Sequence, residues 1–170
     1  MNTPPALLDA AHSRRALLLS LPLALAACGP AKVRRRKGNV AAMGDRLTAG
    51  PLTYTILEAE WQSVLGVAPT VRVAKHRFLL LRLTITNGGG SAASAPFLIL
   101  TNDNEESFSE EQQGDGVPEW LGLIRSIEPG GTEVGRVVFD VPQTAYVAIV
   151  TDGNLDNEHK AMVEIPLRMG

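Results

Sequence analysis

One stretch of this 170-residue chain leaves little freedom in how it folds: His76 to Thr86. Leu79, Leu81, Leu83 and Ile85 alternate with Arg82, Thr84 and Thr86, and Phe78 and Leu80 share the second face near its start. A helix would scatter these residues around its circumference. A strand sorts them onto two faces, so the period of two predicts a half-buried strand. Asn87-Gly88-Gly89-Gly90-Ser91 ends it sharply, because such residues select turns.

The same reading extends along the chain. Leu52-Thr53-Tyr54-Thr55-Ile56-Leu57 alternates and runs into Glu58-Ala59-Glu60-Trp61. Phe97 to Leu100 is a short apolar strand closed by Thr101-Asn102-Asp103-Asn104. Glu128-Pro129-Gly130-Gly131-Thr132 is a strong turn. Val134 to Val141 follows, with Val137, Phe139 and Val141 inward, and Pro142 stops it. Tyr146 to Val150 and Ala161 to Leu167 are the last strands, joined by Asp152 to Asn157. Seven to eight short strands with turns between them predict an all-β, immunoglobulin-like antiparallel β-sandwich. Val117 to Ile127, with Trp120, Leu121, Leu123, Ile124 and Ile127, is expected to be a short helix or an irregular crossover. Gly44 to Gly170 suits one domain and buries roughly two thirds of its chain surface. It must be stable from its core alone, because the chain has one cysteine and no internal disulfide.

Charge divides the chain. Residues 1–43 hold seven basic residues and one acid, residues 44–170 nine basic and seventeen acidic, giving nets of +6 and −8. A basic arm on an acidic body follows. Ahead of the arm, Ser13-Arg14-Arg15 precedes the apolar run Ala16 to Ala27. As a helix that run rises only about 18 Å, against a hydrocarbon core of about 30 Å, so it is a poor membrane span. Positive charge, a short apolar run and small residues at its end describe a secretory signal.

Leu25-Ala26-Ala27-Cys28 resembles the lipobox of a bacterial lipoprotein signal peptide. The resemblance implies that residues 1–27 are removed, and that Cys28 becomes the first residue, carrying a diacylglycerol on its thiol and an acyl chain on its amine. Several chains hold a protein stably where one holds it marginally. Arg14-Arg15 also resembles a twin-arginine export signal, although Ala16 and Leu17 depart from that pattern. A general secretory n-region is the other reading. Lys32-Val33-Arg34-Arg35-Arg36-Lys37 leans toward the first, since positive charge after an apolar run resists translocation. Residues 28–43 read as a disordered, basic tether beside an anionic membrane surface. Gly29, in place of an aspartate, resembles an outer-membrane sorting signal; the outer face of the cytoplasmic membrane is the other destination. No nucleic-acid partner is expected for an exported acidic body.

Met43-Gly44-Asp45, Leu52-Thr53-Tyr54-Thr55-Ile56, Phe78 to Asn87, Phe97 to Leu100, Ile127 to Thr132 and Gly135 to Pro142 follow one another in an order that resembles the telokin-like, immunoglobulin-like domains of unknown function found in bacterial lipoproteins and secreted proteins. The resemblance spans most of residues 43–167, departs from the pattern around Asp115 to Arg125, and implies no catalytic residue.

Several side chains are candidates for function. Asp152, Asn154 and Asp156 place oxygens at alternate positions, as a hard cation wants, but Asn157 stands where a calcium loop needs glycine. Asn, Asp and Gly are equally what a tight turn selects. Asn102 to Glu106, with Glu110 and Glu111, is an acidic patch that reads first as a solvated hairpin loop and second as a cation or basic-partner site. His76 and His159 are the histidines of the domain, without a spaced ligand set for zinc. A blue-copper site would need the thiol that the anchor uses. No nucleophile elbow or phosphate-cradling loop is present. Trp61 and Trp120 are either core or, if both are exposed, a recognition patch. The expectation is a lipid-anchored cell-envelope protein, not an enzyme, without a cofactor. It would contact the membrane through its N-terminal lipid and bind an envelope protein partner. A cation or small-ligand binder using loops 102–111 and 152–158 is the alternative.

Overall fold

The alternation at Leu79, Leu81, Leu83 and Ile85 becomes the inner face of the central strand of a β-sandwich, where all four are fully buried. The computed structural model describes residues 39–167. Arg14, Arg15, Leu25, Ala26, Ala27 and Cys28 lie outside the described residues, as does most of the expected tether. The strands are β1 (Val40–Ala41), β2 (Leu47–Ala49), β3 (Leu52–Leu65), β4 (Arg72–Asn87), β5 (Ala93–Ser94), β6 (Ile99–Thr101), β7 (Ser107–Ser109), β8 (Ser126–Ile127), β9 (Thr132–Val141), β10 (Tyr146–Thr151) and β11 (Lys160–Ile165). One sheet has the order β1-β11-β10-β6-β7, the facing sheet β2-β3-β4-β9, and β5 pairs with β8.

Three details differ from the sequence expectation. There are eleven strands among the described residues, more than expected because strands of two or three residues carry too little periodicity to be seen in sequence. The sandwich is not wholly antiparallel, since β1 runs parallel to β11 through Val40–Met162 and Ala41–Val163. That pairing also starts the fold before Gly44. Ala41 and Met43 pack on the core, and the Gly44 N–H donates to Ile56 O at 2.9 Å.

The main core fills the space between the sheets. Leu52, Tyr54, Ile56, Leu79, Leu81, Leu83, Ile85, Val137 and Phe139 come from one sheet; Leu100, Tyr146, Ala148, Val150, Val163 and Ile165 come from the other. Burial of each large aliphatic chain is worth about 1.5–3 kcal/mol. Two tyrosines fasten the interior to the backbone. Tyr54 Oη donates to Thr151 O at 2.8 Å, across the sandwich, and Tyr146 Oη donates to Pro142 O at 2.6 Å, across the β9–β10 corner.

A second cluster lies on the opposite face of the β2-β3-β4-β9 sheet: Leu65, Phe78, Leu80, Val117 and Val138, flanked by Trp120. Residues 110–125 cover it as an irregular strap, with no helix. Pro118 and Gly122 interrupt what would otherwise be a helical spacing. The strap is tied to the free edge of β9: Glu111 N–H donates to Val138 O (2.8 Å), Leu121 N–H to Arg136 O (3.0 Å) and Arg136 N–H to Glu119 O (2.7 Å). Edge groups that would otherwise be open for pairing are thereby satisfied. Among the described residues, the buried members of both clusters lie between Leu47 and Ile165, with Ala41 and Met43 packed against them.

Candidate functional site

Strict alternation along β3 would place Trp61 on the outer face, opposite Tyr54 and Ile56. A β-bulge between Ile56 and Glu58 switches the register, and Ala59 and Trp61 turn inward instead, facing Leu81 and Leu79 of β4. Trp61 therefore reaches the rim of the main core, half-buried, with its ring 6.3 Å from that of Tyr146. Phe108 meets Tyr146 edge-on at 5.7 Å. Arg77 sits two residues before Leu79 on the same face of β4, opposite Val141. Long side chains at such diagonal positions are within reach of one another.

This end of the sandwich is thus an aromatic group with polar edges. The indole Nε1–H of Trp61 and the Nε–H of Arg77 are buried and meet no acceptor. Unpaired buried donors are costly. The Tyr146 hydroxyl is pushed up to about 12, first by burial and then by the negative charge of Glu106. Glu106 is itself held by Asn102, whose Nδ2–H donates to Glu106 Oε2 at 2.6 Å.

Trp120 does not join this group. It lies over the second cluster, on the other face of the same sheet, stacked so closely on Gly114 that a Cβ there would collide with the ring. The two tryptophans form no common patch, because the sheet separates them. Trp120 Nε1–H is also buried without an acceptor.

Between Trp120 and the end of the sheet runs a charged row. Glu58, Arg82 and Arg136 face one another in register across β3, β4 and β9. Glu119 of the strap closes the row, 3.5 Å from Arg82 and 3.1 Å from Arg136, while Glu58 lies 3.7 and 3.8 Å from the same two arginines. Each glutamate bridges both cations, which offsets the repulsion of two arginines placed side by side. Such partly exposed pairs contribute about 0–1 kcal/mol each.

The acidic loops are organised by their own turns. Asp152 accepts from the N–H groups of Asn154 and His159, both at 3.1 Å, and from His159 Nδ1 at 2.9 Å. Burial acts to raise the Asp152 carboxyl, but the bonds from Asn154 and His159 outweigh it and hold the group below its usual range. Asn154 Oδ1 accepts from Asp156 N–H at 3.1 Å. The oxygens of Asp152 and Asn154 are thus engaged by hydrogen bonds within the loop itself. Asn102 Oδ1 likewise accepts from the N–H groups of Asn104 and Glu106. Among the described residues no group of three or more His, Cys, Asp or Glu side chains is arranged to hold a metal ion.

Glu110 does not belong to the solvated patch at all. It is buried with Arg125, both side chains 1 % exposed, in a two-pronged ion pair with Nη2–Oε2 at 2.5 Å and Nη1–Oε1 at 3.1 Å. Leu98 N–H donates to Glu110 Oε1, Arg125 Nε–H donates to Gly122 O, and the guanidinium lies 5.1 Å over the Phe97 ring. An acidic run signals a wet loop, and nothing local marks its last-but-one residue as buried.

Solved structures share this architecture. The yjhA protein of Bacillus subtilis is 17 % identical, with a TM-score of 0.54 over 74 % of this chain and 99 % of its own. A functionally unknown protein of Listeria monocytogenes is 12 % identical, with a TM-score of 0.55 over 76 % of this chain and 85 % of its own. The ycdA protein of Bacillus subtilis, described as a candidate lipoprotein, is 11 % identical, with a TM-score of 0.57 over 72 % of this chain but 38 % of its own, so the likeness spans well under half of that protein. At these identities the likeness is one of fold. No curated protein matches the sequence. The model of a family described as a domain of unknown function, DUF4352, matches residues 41–159, and the chain belongs to that family.

Proposed function

We propose that this chain is a lipid-anchored cell-envelope protein whose sandwich, of the immunoglobulin-like kind, is a non-catalytic binding module for another envelope protein. The observation that carries the anchor is Leu25-Ala26-Ala27-Cys28, placed at the end of a short apolar run behind Arg14-Arg15. The description of ycdA as a candidate lipoprotein agrees with it. The tyrosine bond across the β9–β10 corner is of a kind used by immunoglobulin-like sandwiches.

For binding, the aromatic end supports the reading best. Trp61 combines a large apolar surface with an indole N–H that has no partner within the protein. Aromatic and arginine side chains of this kind are the usual anchors of protein interfaces.

The test is retention of envelope proteins by the immobilised, lipidated protein, with Trp61→Ala alongside. A partner held by the wild type and lost from Trp61→Ala supports the reading. Identical retention by both proteins removes Trp61 from it, and a calcium-dependent rise in melting temperature would move the function to the acidic loops.

A further inference from the structure

The β3–β4 hairpin outruns the rest of its sheet. Pairing between β4 and β9 stops at Arg77–Val141, whereas β3 and β4 continue to the pair Leu65–Arg72. From Ser63 to Val71 the chain carries no charged side chain. Val64, Val67, Val71 and Val73 are 42, 78, 45 and 74 % exposed, and Val64 faces Val73 directly across the two strands. Single exposed valines are ordinary; four on one hairpin end make a contiguous apolar surface.

The hairpin end is buttressed, so these valines cannot fold back onto the body. Arg72 Nη1–H donates to Gln113 O at 2.6 Å, its Nη2 lies 3.6 Å from Glu111, and its guanidinium covers the Phe78 ring at 5.3 Å. Gly116 of the strap packs against Gly66, and Thr70 N–H donates to Val67 O at 3.0 Å, closing the turn. Behind the tip come Lys75 and His76, both exposed, and then Arg77. Asp140 binds the backbone N–H groups of Lys75 and His76, at 2.6 and 2.8 Å.

We propose that this hairpin tip is a membrane-contact element, in which the valines enter the boundary between headgroups and acyl chains of an anionic bilayer and Lys75 meets the lipid phosphates. The dimensions agree. Four residues of strand separate Val71 from Lys75 by about 13 Å, and interfacial elements bury their apolar side about 5–10 Å deep, which leaves the lysine at headgroup level. The charge agrees through Lys75, the exposed cation directly behind the apolar cap, which lies where a lipid phosphate would meet it. A bilayer is also the surface nearest to hand. This clause rests on the lipid-anchor reading: residues 28–38 can span at most about 40 Å, so a domain held at Cys28 cannot move far from the membrane.

The test removes the lipid, so its outcome does not depend on the fate of Cys28. Cys28→Ser leaves the chain without a thiol, and Val67→Cys or Leu155→Cys then places a single environment-sensitive fluorophore. Leu155 is fully exposed in the loop at the far end of β10 and serves as the control. With vesicles of phosphatidylglycerol and phosphatidylethanolamine, the probe at residue 67 shifts to shorter wavelength and the probe at residue 155 does not. Lys75→Ala weakens partition into these vesicles about fivefold. A probe at residue 67 that does not respond, a probe at residue 155 that responds as strongly, or undiminished partition of Lys75→Ala overturns the proposal. Acylation of Cys28 is read separately, by mass spectrometry, so the anchor and the tip can fail independently.

Discussion

Arg125 and Glu110 join the two ends of the strap in a fully buried, two-pronged ion pair. The pair replaces water for both charges at once, and it is tied to the backbone by Leu98 N–H and Gly122 O. Taking either partner away leaves an uncompensated charge in the interior. Glu110→Ala or Arg125→Ala should each cost about 3–5 kcal/mol. Replacing both, as Glu110→Leu with Arg125→Met, should cost far less than the sum of the two and can be neutral. Urea unfolding of the four proteins measures this; additive losses would mean that the two side chains act independently.

Asn87, the last residue of β4, is a second fastening. It is completely buried, donates through Nδ2 to Ser91 O and Ile127 O, and accepts from Gly89 N–H, all at 2.8 Å. One side chain thus holds both the glycine turn and the approach to β9. Asn87→Ala should destabilise the domain by about 2–3 kcal/mol, because three backbone groups, one buried and two partly buried, lose their partner together. Asn87→Asp should do no better, since a carboxylate cannot donate to two carbonyls. Melting temperatures of the two variants would show it.

The chain has two tyrosines, and burial raises both hydroxyls, Tyr146 to about 12 and Tyr54 further. Their ordinary value is 10.0. The folded state holds these protons more tightly than the unfolded chain, so the contribution to stability is intact below pH 10.0 and for Tyr146 is lost as pH rises from 10.0 through about 12. Tyrosinate absorbance of the native protein should stay flat through pH 10.0 and then rise for both rings with alkaline unfolding. Half of the signal appearing near pH 10.0 would mean that one hydroxyl is open to solvent.

Asp152 works in the opposite direction. Its carboxyl is held below 3.8, so the folded state releases this proton more readily than the unfolded chain does. The stabilisation by the Asp152–His159 latch is present above pH 3.8 and disappears as pH falls below it. The gap in melting temperature between wild type and Asp152→Asn should be present above pH 3.8 and close as the pH falls below it. A gap that persists unchanged in acid would show that the carboxylate charge plays no part.

The strands of the central sheet were legible because their side chains repeat with the geometry that folds them. Leu79 to Ile85 alternate over enough residues to exclude a helix, and Asn87 to Ser91 mark where the strand ends. What was hidden depends on contacts between distant residues. Glu110 looks like part of a solvated acidic run until Arg125, fifteen positions later, arrives beside it. The inward turn of Trp61 follows from one extra residue in β3, and composition does not signal a bulge. Two residues of β1 become strand only because β11, more than a hundred positions away, offers a free edge. Phe78 and Leu80 on the outer face were readable as apolar, but their cover is an irregular strap whose path follows β9 and not any period of its own.

The most direct measurement is mass spectrometry of the N-terminus of the protein recovered from a cell envelope. Lipid anchoring predicts a chain that begins at Cys28, with a diacylglycerol on the thiol and an acyl chain on the amine. A chain that retains residues 1–27, or one that begins with an unmodified Cys28, would contradict it.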